Sequence, residues 1–333
     1  MIIQKQLHRL MIFPIIMCVL LLGMQISQAS RQNPFSSVEI LDISGAEEAA
    51  YIDKKTTDFF NAYSRPSDNY VVPDGWQREI LSFDGVQVEK YTSTKTDTDR
   101  ILLFLHGGGY VGGLNNNYRD WGLHKAELAR NATLLALDYC LAPQHLYPAA
   151  LEDAVKAYKG LLQAGYNPEN MILMGDSAGG NLAAVLSVYL RDNNIPQPKA
   201  IILISPWTYL DGNLPSHLNN FQKDKILGYK NKRLTKEIIE PTYAKGANVT
   251  DPYLSPSFAD LTGISPILIT AGGDEMLLDD TILFAAHAKA DGVNVTEKIY
   301  PGMSHDWTLI LPELPETKAM NDDIVQFINA HLK

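Results

Sequence analysis

The stretch Met171-Ile-Leu-Met-Gly175-Asp176-Ser177-Ala178-Gly179-Gly180-Asn181-Leu-Ala-Ala184 decides the fold. An apolar strand pattern runs straight into Gly-x-Ser-x-Gly and then into an Ala/Leu-rich helix, with no loop between. That order is what a nucleophile elbow requires. The turn is tight enough to force the serine into a strained backbone conformation, and Gly175 and Gly179 are small where side chains would collide. The Ser177 hydroxyl is thereby lifted above the sheet edge, at the positive end of the following helix. Gly-x-Ser-x-Gly alone is a weak pattern. A strand before it, a helix after it and small residues on both sides mark Ser177 as a nucleophile rather than a structural turn.

Around this stretch, from about residue 76 onward, short apolar runs alternate with longer helical patterns. This is the signature of a largely parallel sheet wrapped by helices. Strands are expected near 77–82, 86–91, 101–105, 133–137, 171–175, 200–204, 266–271 and 295–300. Helices are expected at 117–130, 149–164, 178–191, 279–291 and 318–332. The runs Ile101–Leu105 and Ile201–Ile204 are apolar throughout, as in strands buried on both faces. Two segments break the alternation: residues 30–75, helical-looking ahead of the first strand, and residues 206–262, a long insertion between two strands. Insertions of that length inside a compact domain are usually functional, and a lid over the site is expected from both segments.

The 333 residues suffice for one large α/β domain, and 46% hydrophobic with 20% charged residues is an ordinary globular composition. A net charge of −10 argues against nucleic acid or an anionic membrane surface as a partner. At the N-terminus, Lys5, His8 and Arg9 precede the apolar run Leu10–Leu22, and a polar stretch ends in Ser27-Gln28-Ala29. These are the three parts of a signal peptide, and the run is short of the roughly 20 apolar residues of a spanning helix. Residues 1–29 are therefore expected to be a cleaved leader, which makes 30–333 the working domain of an exported (periplasmic or secreted) protein. An uncleaved N-terminal anchor is the alternative. After such a cut only Cys140 remains, so no internal disulfide forms, and between Tyr139 and Leu141 it reads as a buried, inert thiol.

A nucleophilic serine needs donors for the negative charge that develops on the substrate carbonyl. The backbone N–H of Ala178 is one candidate. Others lie in His106-Gly-Gly-Gly-Tyr110, just past the strand at 101–105, where consecutive glycines let amides turn inward. There His106 would support the loop rather than perform chemistry. The same loop matches a dinucleotide fingerprint, Gly107-x-Gly109-x-x-Gly112 with Asp138 ending the next strand. That reading leaves the elbow unexplained, whereas a hydrolytic site uses both loops at once.

In a sheet of this kind the triad partners follow the serine in the order acid, then histidine. Strand 266–271 ends in Gly272-Gly273-Asp274-Glu275-Met-Leu-Leu-Asp279-Asp280. Asp274 comes first after the glycine turn, which favours it over Glu275, while Asp279 and Asp280 are placed to cap and start the next helix. His305, in Tyr300-Pro-Gly-Met-Ser-His305-Asp306-Trp307, sits just past the final strand and is the expected base. His124, His145, His217, His287 and His331 read as structural. No His-Glu-x-x-His or Cys/His cluster occurs, so no metal is expected.

These residues resemble the hormone-sensitive-lipase-like esterases of the α/β-hydrolase superfamily. The matching blocks are His106-Gly-Gly-Gly-Tyr110, Asp138-Tyr-Cys-Leu-Ala-Pro143, Pro148-Ala-Ala-Leu-Glu-Asp153, Gly175-Asp-Ser-Ala-Gly-Gly180, Ser205-Pro-Trp207, Asp251-Pro-Tyr-Leu-Ser-Pro256, Gly273–Asp280 and His305. The resemblance spans nearly all of 76–333 and is weak before it. It implies an eight-stranded, mostly parallel sheet flanked by helices under a mostly helical cap drawn from 30–75 and 206–262. It also implies cofactor-free hydrolysis of short- to medium-chain carboxylic esters, with Gly108 and Gly109 joining Ala178 as oxyanion donors. Cys140 and Gln144 stand where members usually carry Arg and Glu, which removes a supporting ion pair without touching the triad. Hydrolysis of a lactone or activated amide shares the same chemistry. A ligand-binding role on a retired hydrolase scaffold is disfavoured, because all three triad candidates and the glycine loop are intact.

Overall fold

A computed structural model describes residues 30–63 and 69–333, so the leader expected at 1–29 lies outside the described residues. Residues 31–333 form one compact unit. Its strands are β1 (Trp76–Phe83), β2 (Val86–Ser93), β3 (Ile101–Leu105), β4 (Thr133–Asp138), β5 (Met171–Asp176), β6 (Ala200–Ile204), β7 (Ile267–Gly272) and β8 (Val295–Tyr300). Its helices are α1 (Gly45–Tyr63), α2 (Asn116–Leu128), α3 (Ala149–Gln163), α4 (Ser177–Asp192), α5 (Pro215–Asn219), α6 (Lys232–Ile239), α7 (Leu278–Ala290) and α8 (Pro315–His331). The eight strands make one sheet in the order β1-β2-β4-β3-β5-β6-β7-β8. β2 is antiparallel to both its neighbours, and every other pairing is parallel. The expected α/β architecture is therefore present.

The two-residue period of a strand sends alternate side chains to opposite faces. Leu103, Leu105, Leu135, Leu173, Leu203 and Ile269 share one core with residues of α3, α4 and α7. Leu102, Phe104, Leu134, Ile172, Ile202 and Leu268 share the other with α2 and α8. Burying each such side chain is worth about 1.5–3 kcal/mol, so both faces must be covered for the sheet to persist. The expected elements differ from the observed ones by a few residues, with physical reasons. β7 starts at Ile267 because Pro266 has no N–H to donate to a ladder. α8 starts earlier than its apolar stripe, at Pro315, whose fixed φ suits the first helical position.

Because β3 to β8 all point the same way, the loops that follow β3, β5, β6, β7 and β8 emerge at one edge of the sheet. The long insertion runs above that edge. It is less helical than expected, with α5 and α6 of five and eight residues joined by turns. Among the described residues no helix is long and apolar enough to cross a membrane.

Candidate active site

Ser177 opens α4 directly from β5 with φ of 52°, the left-handed region that a non-glycine residue enters only under constraint. The constraint is the close approach of the turn to β3: a Cβ on Gly179 would lie 2.0 Å from the Leu105 carbonyl oxygen. The Trp207 N–H, past β6, donates to the Ser177 carbonyl at 3.1 Å and fixes the turn from the other side. The hydroxyl is thereby presented to His305, whose Nε2 lies 2.9 Å from Ser177 Oγ. Both side chains are buried, at 5% and 3% residual exposure, so their hydrogen bond is shielded from water.

The carboxylate on the Nδ1 side of His305 is not the one expected. Asp274 does not face His305. Its carboxylate is 37% exposed and lies 3.8 Å from Lys223 Nζ at the surface. Glu275, one residue on, is fully buried and places Oε2 3.8 Å from His305 Nδ1. The same oxygen accepts a 2.6 Å hydrogen bond from the Ser205 hydroxyl and one of 3.2 Å from the Gly272 N–H. The physical reason lies in the chain path. The Gly273 and Asp274 N–H groups donate to the carbonyls of Tyr300 and Met303, extending the association of β7 with the β8 side for two residues. The glycine turn therefore ends later than the sequence implies, and the inward position falls on Glu275.

Further acids surround the imidazole. Asp306 Oδ2 lies 3.0 Å from His305 Nε2, on the serine side of the ring. Asp224, from the 206–262 insertion, is fully buried and accepts the N–H groups of Ile226, Leu227 and Met276. Asp176 accepts the Gly107 N–H at 3.0 Å, pinning the glycine loop to the elbow. Burial alone would lower the His305 imidazole, but Asp306, Glu275 and Asp224 outweigh it and raise it to about 9. Burial pushes the Glu275 carboxyl upward, with His305 and the Ser205 hydroxyl pulling against it. Asp176 is likewise driven up by burial and by its neighbour Asp306.

On the opposite side of the serine, Gly108 adopts φ of 112° and Gly109 of 64°, which turns the loop amides inward. Among the described residues, neither amide has an acceptor, whereas the Gly107 amide is taken by Asp176. Ala178 sits in the first turn of α4, where backbone N–H groups have no helical partner. The expected donors Gly108, Gly109 and Ala178 are thus uncommitted. His106 supports the loop as expected: it stacks on Tyr139 at 4.2 Å, its Nδ1 lies 2.8 Å from the Gly107 carbonyl, and burial holds its ring neutral, down to about 4. Tyr110 donates to Asn181 Oδ1 in α4 at 2.5 Å and stacks on Tyr243 of the insertion at 4.0 Å.

Ser177, His305 and the glycine loop form the floor of a cavity of about 330 Å³. Its walls come from α1 (Phe59, Phe60), Val111 and the insertion (Leu227, Leu234, Ile238). Among the described residues, no group of three or more His, Cys, Asp and Glu side chains is arranged to hold a metal ion.

Residues 102–309 match the model of a family described as having an alpha/beta hydrolase fold. This chain belongs to that family. The α/β-hydrolase is 36% identical over 258 residues to an acetyl-hydrolase of Streptomyces hygroscopicus, a match covering 77% of this chain and 83% of the relative. It is 33% identical over 250 residues to an esterase of Acinetobacter venetianus, covering 73% and 78% of the two chains. A crystal structure of an esterase from the bacterial hormone-sensitive lipase family superposes with a TM-score of 0.77 at 31% identity, over 87% of this chain and all of the other. The hydrolase is thus placed among the hormone-sensitive-lipase-like esterases.

Several residues around the hydrolase's histidine were not singled out by sequence reasoning. Glu275 stood only as Asp274's rival, and Ser205 only as part of a matching block. Asp306 and Asp224 carried no pattern, since their positions depend on a backbone reversal and on the insertion's path. Asp279 and Asp280 do lie in the first turn of α7, but neither caps it. Asp279 accepts the Ser216 N–H of α5, and Asp280 accepts the Tyr209 N–H and pairs with the buried His217 at 2.7 Å. Cys140 is half-buried rather than buried as expected, and burial together with Asp153 pushes its thiol up to about 12, which disfavours the reactive thiolate.

Proposed function

We propose that this carboxylic ester hydrolase acts on short- to medium-chain acyl esters through an acyl-enzyme on Ser177, with His305 as general base and Glu275 as its acid partner. The observation that carries the reading is the 2.9 Å contact between Ser177 Oγ and His305 Nε2 beside uncommitted glycine amides at the floor of an apolar cavity. His305 takes the hydroxyl proton as Oγ attacks the ester carbonyl. The oxygen's developing charge is met by the N–H groups of Gly108, Gly109 and Ala178. His305 then returns the proton to the departing alcohol, and water activated by the same nitrogen releases the acid. Glu275 stabilises the imidazolium of each step from the Nδ1 side. Ser205 and the Gly272 N–H hold its carboxylate in place.

The apolar walls support the acyl length. Phe59, Phe60, Leu234 and Ile238 line a cavity of about 330 Å³, at the small end of ligand pockets, which supports a short or medium acyl chain. Segments 30–75 and 206–262 together act as the cap that excludes water from it. The basic and apolar N-terminal residues support export, and sequencing of the mature N-terminus is expected to begin at Ser30.

The test combines chemistry and specificity. Ser177→Ala is expected to abolish hydrolysis of p-nitrophenyl acetate and covalent labelling by a fluorophosphonate. Retained hydrolysis in that variant would overturn the mechanism. Across p-nitrophenyl esters of increasing acyl length, kcat/KM is expected to peak among short and medium chains, and a maximum on long chains would overturn the substrate class.

A further inference from the structure

The mechanism above uses one face of His305 Nε2, yet two groups contact that nitrogen. Ser177 Oγ is at 2.9 Å and Asp306 Oδ2 at 3.0 Å. Asp306 is held there by its backbone, which takes the left-handed conformation at φ of 45° and ψ of 33°. Its N–H donates to Ser205 Oγ at 3.4 Å, and the residue is 6% exposed. A neutral imidazole that accepts the serine proton presents a lone pair at Nε2. With that lone pair present, a carboxylate oxygen 3.0 Å from the nitrogen would be a second acceptor in repulsive contact with it. The contact is an ion-pair distance without hydrogen-bond alignment, so it is favourable when the ring carries its positive charge.

We propose that Asp306 is a positioning residue whose carboxylate keeps His305 protonated in the resting site, with the Nε2 proton toward Ser177, so that the base is freed only once that proton is given up to solvent. The inference rests on the reading of His305 as the base. Among the described residues, the other charged groups acting on the ring are Glu275 from the β7–α7 loop, Asp224 from the insertion and Asp176 from the end of β5, while Lys230, Arg233 and Glu237 line the cavity it faces. Glu275, Asp224 and Asp176 are carboxyls and favour the imidazolium in the same sense. Asp306 differs from them in touching Nε2, the nitrogen that exchanges protons with substrate.

The consequence is an acid limb of activity displaced to high pH, in line with an imidazole raised to about 9. Below that midpoint His305 is charged and cannot take the serine proton; above it the base is available. Asp306→Asn removes the charge while keeping the size, and Asn tolerates the left-handed backbone. In the full-length protein with ¹⁵N-labelled histidine, the NMR titration midpoint of His305 is expected to fall by at least one pH unit in this variant. The acid limb of kcat/KM for p-nitrophenyl acetate is expected to fall with it. Asp306→Ser, which also removes the charge, must shift the midpoint in the same direction, and Asp306→Glu must leave it raised. A merely structural role would lower the melting temperature and leave the midpoint in place, and an unchanged midpoint in the Asn and Ser variants overturns the proposal. The NMR readout does not need turnover. A shifted midpoint in a protein that hydrolyses no ester would sink the esterase mechanism and leave the Asp306 pairing standing.

Discussion

Replacing Glu275 by Gln removes the buried charge nearest His305 Nδ1 and changes little else. The amide matches the carboxylate in size, and its oxygen can still accept from Ser205 and the Gly272 N–H. Glu275 Oε2 lies 3.8 Å from the ring nitrogen with both side chains buried. At about that separation two unit charges attract by about 4 kcal/mol in an effective dielectric of about 20. Lost from the imidazolium of each transition state, that corresponds to a fall of about a thousandfold in kcat/KM. Asp274→Asn is the control, because its exposed pair with Lys223 at 3.8 Å is worth at most about 1 kcal/mol to stability and nothing to the imidazolium. Initial rates on p-nitrophenyl acetate, with thermal melts to verify folding, give both numbers. The assignment of the acid is refuted if Asp274→Asn is the crippled variant and Glu275→Gln keeps activity within about tenfold of the parent.

The proposed oxyanion loop and the elbow make their own demands. In Gly108→Ala the new Cβ would lie 2.7 Å from the Gly112 carbonyl oxygen at a φ of 112°, so kcat is expected to drop by about 10²–10³ as the amide leaves its position. Gly179→Ala places a Cβ 2.0 Å from the Leu105 carbonyl, against backbone that cannot yield. A cost of about 4 kcal/mol or more is expected, read as a lost or strongly lowered melting transition. Lys125 is buried against Trp121 with Asn321 as its hydrogen-bond acceptor, and burial lowers its amine to about 7 from 10.5. Between those two values the unfolded chain binds the proton more tightly, so this group makes stability rise with pH from about 7 to 10.5 and contributes no slope below. Lys125→Met is expected to flatten that part of the stability–pH curve, and urea melts at pH 7 and 10 that keep the parent's difference would rule this out.

Most of the scaffold was legible because its signals are local. The uninterrupted apolar runs of β3, β5 and β6 announce strands buried on both faces, and the strand-turn-helix around Ser177 carries its own backbone logic. The acid was less legible for a reason intrinsic to strands. Neighbours such as Asp274 and Glu275 point in opposite directions, so a single residue of slip in the turn exchanges them. Nothing in Gly272-Gly273 states where the turn ends; two hydrogen bonds to the β8 side decide it. Asp306 was quoted with His305 yet invisible as a contact, since its left-handed backbone reverses the direction a side chain at that position would otherwise take. Asp279 and Asp280 look like helix-starting acids because propensity sees only their own helix. Their partners Ser216, His217 and Tyr209 come from the insertion.

The stack of Tyr110 on Tyr243 joins two parts of the molecule that differ in kind. Tyr110 ends the glycine loop beside Ser177, while Tyr243 belongs to the insertion that walls the cavity above it. The Tyr147 N–H, which donates to the Tyr243 carbonyl at 3.0 Å, and Asn181, which donates to the Leu254 carbonyl at 3.0 Å, anchor the same segment to the sheet domain. The segment proposed to choose substrates is therefore bolted to the loop proposed to serve catalysis. A specificity change made by exchanging residues 206–262 for those of a relative would have to bring a matching ring for Tyr110, or the transplanted recognition would arrive with a misaligned machine beneath it.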